Sequence, residues 1–145
     1  MPSASNSILI KRRIDEVFAF IAKGENTKLW RPGVIQISKV AGGYDSVGAE
    51  YRQRLTGPFG RNIDGDYRIT EFELNKIIAF EVTAGPARPK GRYVFMISGA
   101  HTLLTFTLSL KAKGLQRLMA PMIQSAMDKE VANLARLKEV LERQR

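Results

Sequence analysis

The sequence predicts an α+β domain in which a curved antiparallel sheet of about seven strands wraps around one long C-terminal helix, with two short helices after the first strand. Three observations predict it. An early stretch changes from strand to helix period, six period-two runs then follow between glycine-bearing turns, and the chain closes on an apolar stripe at helical period. The 145 residues suit one domain, residues 1–145, which buries roughly 70% of the surface its unfolded chain exposes.

"SILI" at residues 7–10 reads as a short strand, after which Ile14, Val17, Phe18 and Ile21 recur at helical spacing. Lys23-Gly24 stops that helix, residues 25–29 leave room for one more helical turn, and Pro32-Gly33 turns the chain. Runs at 34–40, 49–56, 63–74, 77–84, 91–98 and 102–110 have the spacing of antiparallel hairpins. In the second run Ala49, Tyr51, Gln53 and Leu55 share one face and Glu50, Arg52 and Arg54 the other, so the charged face is the wet one. The same alternation sets Ile63, Tyr67 and Ile69 against Asp64, Asp66 and Arg68, and Leu104, Phe106, Leu108 and Leu110 against Thr105 and Thr107. Ile78, Phe80 and Val82, and then Tyr93, Phe95 and Ile97, are assigned to the inner face as well. The closing helix is expected from Gly114, with Leu118, Met119, Met122, Ile123, Met127, Leu134, Leu137 and Leu141 on its apolar stripe. Pro121 falls inside that stripe and predicts a bend that does not end the helix.

Composition narrows the function classes. Without cysteine there are no disulfides, thiolate nucleophiles or Cys-ligated zinc. "MPSASNSILI" lacks a basic segment followed by a long apolar run, and no apolar stretch nears the ~18 residues of a membrane span, so a soluble, cytoplasmic protein is expected. The formal charge of +9 is uneven: no acidic residue lies between Glu81 and Asp128, while Arg88, Lys90, Arg92, Lys111, Lys113 and Arg117 do. With no consecutive basic run and no aromatic interleaving, nucleic acid is not expected as a partner, and peripheral contact with an anionic membrane stays open. Nucleophile-elbow, zinc-protease, phosphate-loop and dinucleotide motifs are missing, so no catalytic residue is nominated. A lone histidine, His101, in the apparent turn before the last strand makes no metal site, and no cofactor is expected. Asp64 and Asp66 read as solvated charges.

This order of elements, with "LWRPGV" after the second helix, "YRITEFELNKIIAFEV" across a hairpin and "LQRLMAPMIQSAMDKEVANLARLKEVLE" at the end, resembles the polyketide cyclase/dehydrase and lipid-transport superfamily over residues 7–142. The superfamily is also called START-like, SRPBCC or helix-grip. The resemblance implies a cavity between sheet and long helix that receives apolar molecules such as lipids, isoprenoids or polyketides. Residues expected to face it are Trp30, Tyr51, Gln53, Tyr67, Phe80, Tyr93, Phe95 and Phe106, opposite Met119, Met122, Ile123 and Met127. Trp30, the only tryptophan, either plugs the core or forms one wall of the pocket beneath its mouth. Tyr51, Gln53 and Tyr67 are the uncharged polar groups placed to read a ligand oxygen. Binding or carriage of a small hydrophobic ligand is the function expected first. A cyclase- or dehydratase-like enzyme in the same cavity is the alternative, and a basic surface that meets RNA or an anionic membrane is the second.

Overall fold

The computed structural model describes residues 2–57, 60–85, 87–111 and 113–143. β1 (Ser3–Ile10) leads into α1 (Ile14–Ala22), a 3₁₀ segment (Gly24–Leu29) and β2 (Val34–Ala41). Next come β3 (Glu50–Thr56), β4 (Asn62–Asp64), β5 (Tyr67–Glu73), β6 (Ile77–Val82), β7 (Lys90–Ser98) and β8 (His101–Ser109). A second 3₁₀ turn (Gly114–Arg117) precedes α2 (Ala120–Ala132) and α3 (Leu134–Arg143).

Among the described residues the strands form one open antiparallel sheet in the order β1-β8-β7-β6-β5-β3-β2, with β4 paired to β3 off that path. β1 begins at Ser3, earlier than its apolar run, because it pairs with β8 from Ser3↔Ser109 to Ile10↔Thr102. Hydroxyl pairs Ser5–Thr107 and Ser7–Thr105, at 3.0 and 2.8 Å, hold its polar half and leave no hydrophobic periodicity to read. On the inner face Ala49, Tyr51, Gln53, Tyr67, Ile78, Phe80, Tyr93, Phe95, Leu104, Phe106 and Leu108 are buried, as the alternation predicts. α1 adds Val17, Phe18 and Phe20, and the C-terminal helices add Met127, Val131, Leu134, Leu137 and Leu141. α2 and α3 pack chiefly on β1, and α2 also on β8.

Five expectations are corrected. The run at 63–74 is two strands: Gly65 N–H donates to the Gln53 carbonyl and Asp66 Oδ1 accepts the Gln53 N–H, which diverts the chain between β4 and β5. Asp66 is therefore a backbone partner and not a free surface charge. The terminal helix does not run unbroken from Gly114. Pro121 sits in the first turn of α2, where its missing N–H would have no partner in any case, and the interruption comes at Asn133. Ile97 is 71% exposed, because the inner-face parity of β7 continues beyond the region that α1 covers. His101 is the first residue of β8, paired with Ser98, and Gly99-Ala100 make the turn.

Candidate functional site

The inner face carries a continuous chain of rings. Tyr51 stacks on Tyr67 at 4.8 Å between centroids, Tyr67 meets Phe80 at 5.4 Å, Phe80 meets Tyr93 at 6.1 Å, and Tyr93 stacks on Phe106 at 4.4 Å. Trp30 meets Tyr93 and Phe106 edge-on at 6.5 and 6.4 Å and is only 3% exposed. Each pair adds roughly 0.5–1.5 kcal/mol beyond area burial, so the rings form one continuous aromatic floor. Two glycines make room for it. A Cβ on Gly91, which faces Phe80 across β6 and β7, would lie 2.1 Å from Phe80 Cζ. A Cβ on Gly24 would lie 2.3 Å from Tyr51 Cε1 and 2.6 Å from the Tyr67 hydroxyl. The helix stop recognised in the sequence is thus also a point of close approach.

Above this floor lies a cavity of about 30 Å³, measured as the space open to the centre of a water-sized sphere. That is room for about two waters, since each needs roughly 10–15 Å³ on this measure. Its roof is Ile21 and Ala22 at the end of α1, Gly24 and Thr27 of the 3₁₀ segment, and Trp30 and Arg31. Its floor includes Tyr51, Tyr67, Phe80 and Tyr93. Tyr44, 41% exposed, stands at the rim with its hydroxyl donating to Glu25 Oε2 at 2.8 Å. Trp30 therefore both plugs the core and walls the cavity.

The location differs from the cavity expected between sheet and long helix: no residue of α2 or α3 lines it. The apolar side chains of those helices are spent against β1 and β8, where Asn6 Nδ2 also donates to the Val131 carbonyl at 3.0 Å. Of the residues proposed from sequence, Trp30, Tyr51, Tyr67, Phe80 and Tyr93 come together at the cavity. Phe95 and Phe106 lie in the core behind it, and Met127 is buried under α2 with Ile123 partly buried beside it. Met119 and Met122 are each 45% exposed, which corrects their inner-face assignment: they lie at the start of α2, outside the buried stripe that begins at Met127. Gln53 is buried but committed elsewhere, with Nε2 donating to the Gly65 carbonyl at 3.1 Å and Oε1 left without a partner.

One functional group escapes sequence reasoning. Arg31 has a side chain only 11% exposed, lines the cavity, and is held by Glu130 of α2 at 2.7 Å. Burial pulls its pKa down, but the charge of Glu130 and its hydrogen bond outweigh this and hold the guanidinium more firmly protonated than usual. Beside it burial pushes the phenols of Tyr67 and Tyr93 far up, with the Arg31 charge opposing the shift in both. Thr27 also hydrogen-bonds the Tyr67 side chain. Tyr51 is raised by burial too, against the effect of the Gly24 N–H that it accepts at 3.2 Å. At neutral pH the cavity thus presents a fixed cation and protonated phenols within an aromatic shell. The sequence signal was an arginine next to the lone tryptophan, masked by the Pro-Gly turn that follows it.

The model of the family described as polyketide cyclase / dehydrase and lipid transport matches residues 1–142. The chain belongs to this family. No curated protein matches the sequence. Among solved structures, a protein of Thermus thermophilus superposes with a TM-score of 0.80 at 19% identity, covering 97% of each chain. A START superfamily protein from Mycobacterium smegmatis gives 0.77 at 17% identity, again covering 97% of each chain. The Zhui aromatase/cyclase from Streptomyces sp. R1128 gives 0.76 at 15% identity over 97% of this chain and 93% of its own. These similarities establish a START-like fold for this member of the polyketide cyclase/dehydrase family. No helix among the described residues is long and apolar enough to cross a membrane.

Proposed function

We propose that the chain binds and carries a small hydrophobic molecule bearing one acidic or carbonyl oxygen, in the cavity beneath the 3₁₀ segment. The observation that carries this reading is the convergence of a buried guanidinium and two buried phenols on an otherwise aromatic cavity. Apolar rings supply most of the contact area for such a ligand, and the few polar groups fix its orientation. Arg31 takes the ligand oxygen, with the Tyr67 and Tyr93 hydroxyls as further donors. Because the cavity holds only about two waters, the ligand enters by displacing the 3₁₀ roof and turning rings of the stack. The roof is suited to this: short hydrogen-bonded latches, Tyr44–Glu25 and Gly24–Tyr51, hold it to the rim and floor.

Carriage is preferred to catalysis because the titratable groups at the cavity are a fixed cation and protonated phenols, none of which is a general base at neutral pH. The same donors support a second reading, an aldol-type cyclisation in which they stabilise an enolate oxyanion. Titration of Trp30 emission with 2-naphthoate and, separately, 2-methylnaphthalene tests the proposal. Saturable changes with both, tighter for the acid, are expected, and Arg31→Met should remove about tenfold of that preference, since a hydrogen bond to a charged group contributes roughly 1.5–3 kcal/mol. If neither probe changes emission or melting temperature, the binding proposal fails. Turnover of a poly-β-ketone probe by wild-type protein, lost in Tyr67→Phe or Tyr93→Phe at unchanged affinity, would move the assignment to the enzyme.

A further inference from the structure

The segment that should have closed the core instead places its apolar residues in water. Leu118 is 80% exposed, and Met119 and Met122 are each 45% exposed, at the junction of the second 3₁₀ turn with α2. Met122 follows Leu118 by four residues and Met119 by three, the two spacings that bring side chains together at a helix surface, so Met122 adjoins both and joins the three into one exposed patch. Lys111, Lys113 and Arg117, all exposed, lead directly into it. Lys90 stands on the outer face of the sheet with Arg92, opposite Glu81 on one side and Ser109 on the other, and does not belong to this collar. None of the three collar cations forms an ion pair among the described residues, whereas Arg92 is engaged by Glu71 at 3.4 Å. The next acid along the chain, Asp128, is turned to Gln124, which in turn binds the start of β1.

We infer that this end of the molecule docks on an anionic bilayer surface. Charge complementarity selects that occupant: an apolar patch collared by cations, with no acid in the sequence between Glu81 and Asp128, matches acidic headgroups above an acyl boundary. A polyanion such as RNA would use the collar but leave Leu118, Met119 and Met122 in water. A second copy of the chain would bring an equal positive field against the first. Leu118 and the two methionines enter the interfacial region while the collar meets the headgroups. The inference rests on surface residues that do not line the aromatic cavity, so it stands or falls independently of the carrier proposal.

The experiment is partition of the full chain onto vesicles at about 0.15 M salt, comparing phosphatidylcholine alone with phosphatidylcholine containing phosphatidylglycerol. Saturable binding to the anionic vesicles and little to the neutral ones is expected. Neutralising the collar with Lys111→Gln, Lys113→Gln and Arg117→Gln should weaken it roughly a hundredfold, at about fivefold per cation. Leu118→Ser with Met119→Ser and Met122→Ser should weaken it at least tenfold, which an RNA site would not register. Leu118→Trp gives a readout independent of the multiple variants: its emission should shift to the blue on anionic vesicles. Absence of vesicle binding by the wild type overturns the inference. So does RNA binding that outcompetes vesicles and is unaffected by the serine variant, and so does a dimer that the serine variant converts to monomer.

Discussion

Gly24 and Arg31 concentrate the energetic demands of the site at single residues. With Tyr51 and Tyr67 packed against the α-carbon of Gly24, Gly24→Ala forces rings or roof to move, and a loss of roughly 1–3 kcal/mol is expected from urea unfolding. A loss below the error of the measurement would mean that the roof is not seated on the rings. Arg31 and Glu130 are a partly buried pair, so removing one partner strands the other. Glu130→Gln, which leaves the less exposed Arg31 unpaired, should cost more than Arg31→Met, both somewhat below the roughly 3–5 kcal/mol of a fully buried pair. Arg31→Met combined with Glu130→Gln should cost clearly less than the sum of the two single losses, and simple additivity of the single changes would contradict the pairing. The tyrosines carry a pH dependence of definite sign. Tyr67 and Tyr93 have folded pKa values raised above the ordinary 10.0, so the folded chain holds protons that the unfolded chain releases. Their stabilising contribution is complete below pH 10 and falls as pH climbs above it, by up to about 1.4 kcal/mol per unit for each group. Melting curves between pH 9 and 11 should show this decline, shallower in Tyr67→Phe and Tyr93→Phe; equal slopes in all three proteins would remove the phenols as its cause.

The elements set the positions of these residues, and here sequence and structure part in instructive ways. Period-two alternation identified the buried face of β3, β5, β6 and β8 because a pleated strand exposes opposite sides at successive residues, whatever the packing partner. It failed at Ile97, and the helical period failed at Met119 and Met122, for one shared reason: periodicity says which side of an element is apolar, not how far along it a covering surface extends. Arg31 was illegible because its burial depends on Glu130, ninety-nine residues away in sequence. Separation in sequence likewise hid the roof of the cavity, which joins α1 and the 3₁₀ segment to strands from the middle of the chain. Pro121 offers a test at this scale. As a first-turn residue of α2 it costs little, so Pro121→Ala should change stability by less than about 1 kcal/mol, whereas relief of an interior proline would stabilise by about 3. Thermal unfolding separates the two outcomes.

Across the molecule, the long C-terminal helix and the cavity occupy different parts of the sheet: α2 and α3 seal β1 and β8, and the aromatic cavity opens under the 3₁₀ roof toward β3, β5 and β6. Arg31–Glu130 is the tie between the halves. This arrangement makes the roof, not the long helix, the moving part when a ligand enters. Local opening should appear as faster amide exchange at the Gly24 N–H, held only by the Tyr51 hydroxyl, than at the β7–β8 ladder, with a probe ligand slowing it. The most direct measurement is the set of intermolecular nuclear Overhauser contacts between bound 2-naphthoate and the protein. Contacts to the rings of Trp30, Tyr67 and Tyr93, with none to Ile123 or Met127, are predicted; contacts to Ile123 and Met127 without Trp30 would place the ligand between sheet and long helix and contradict the account.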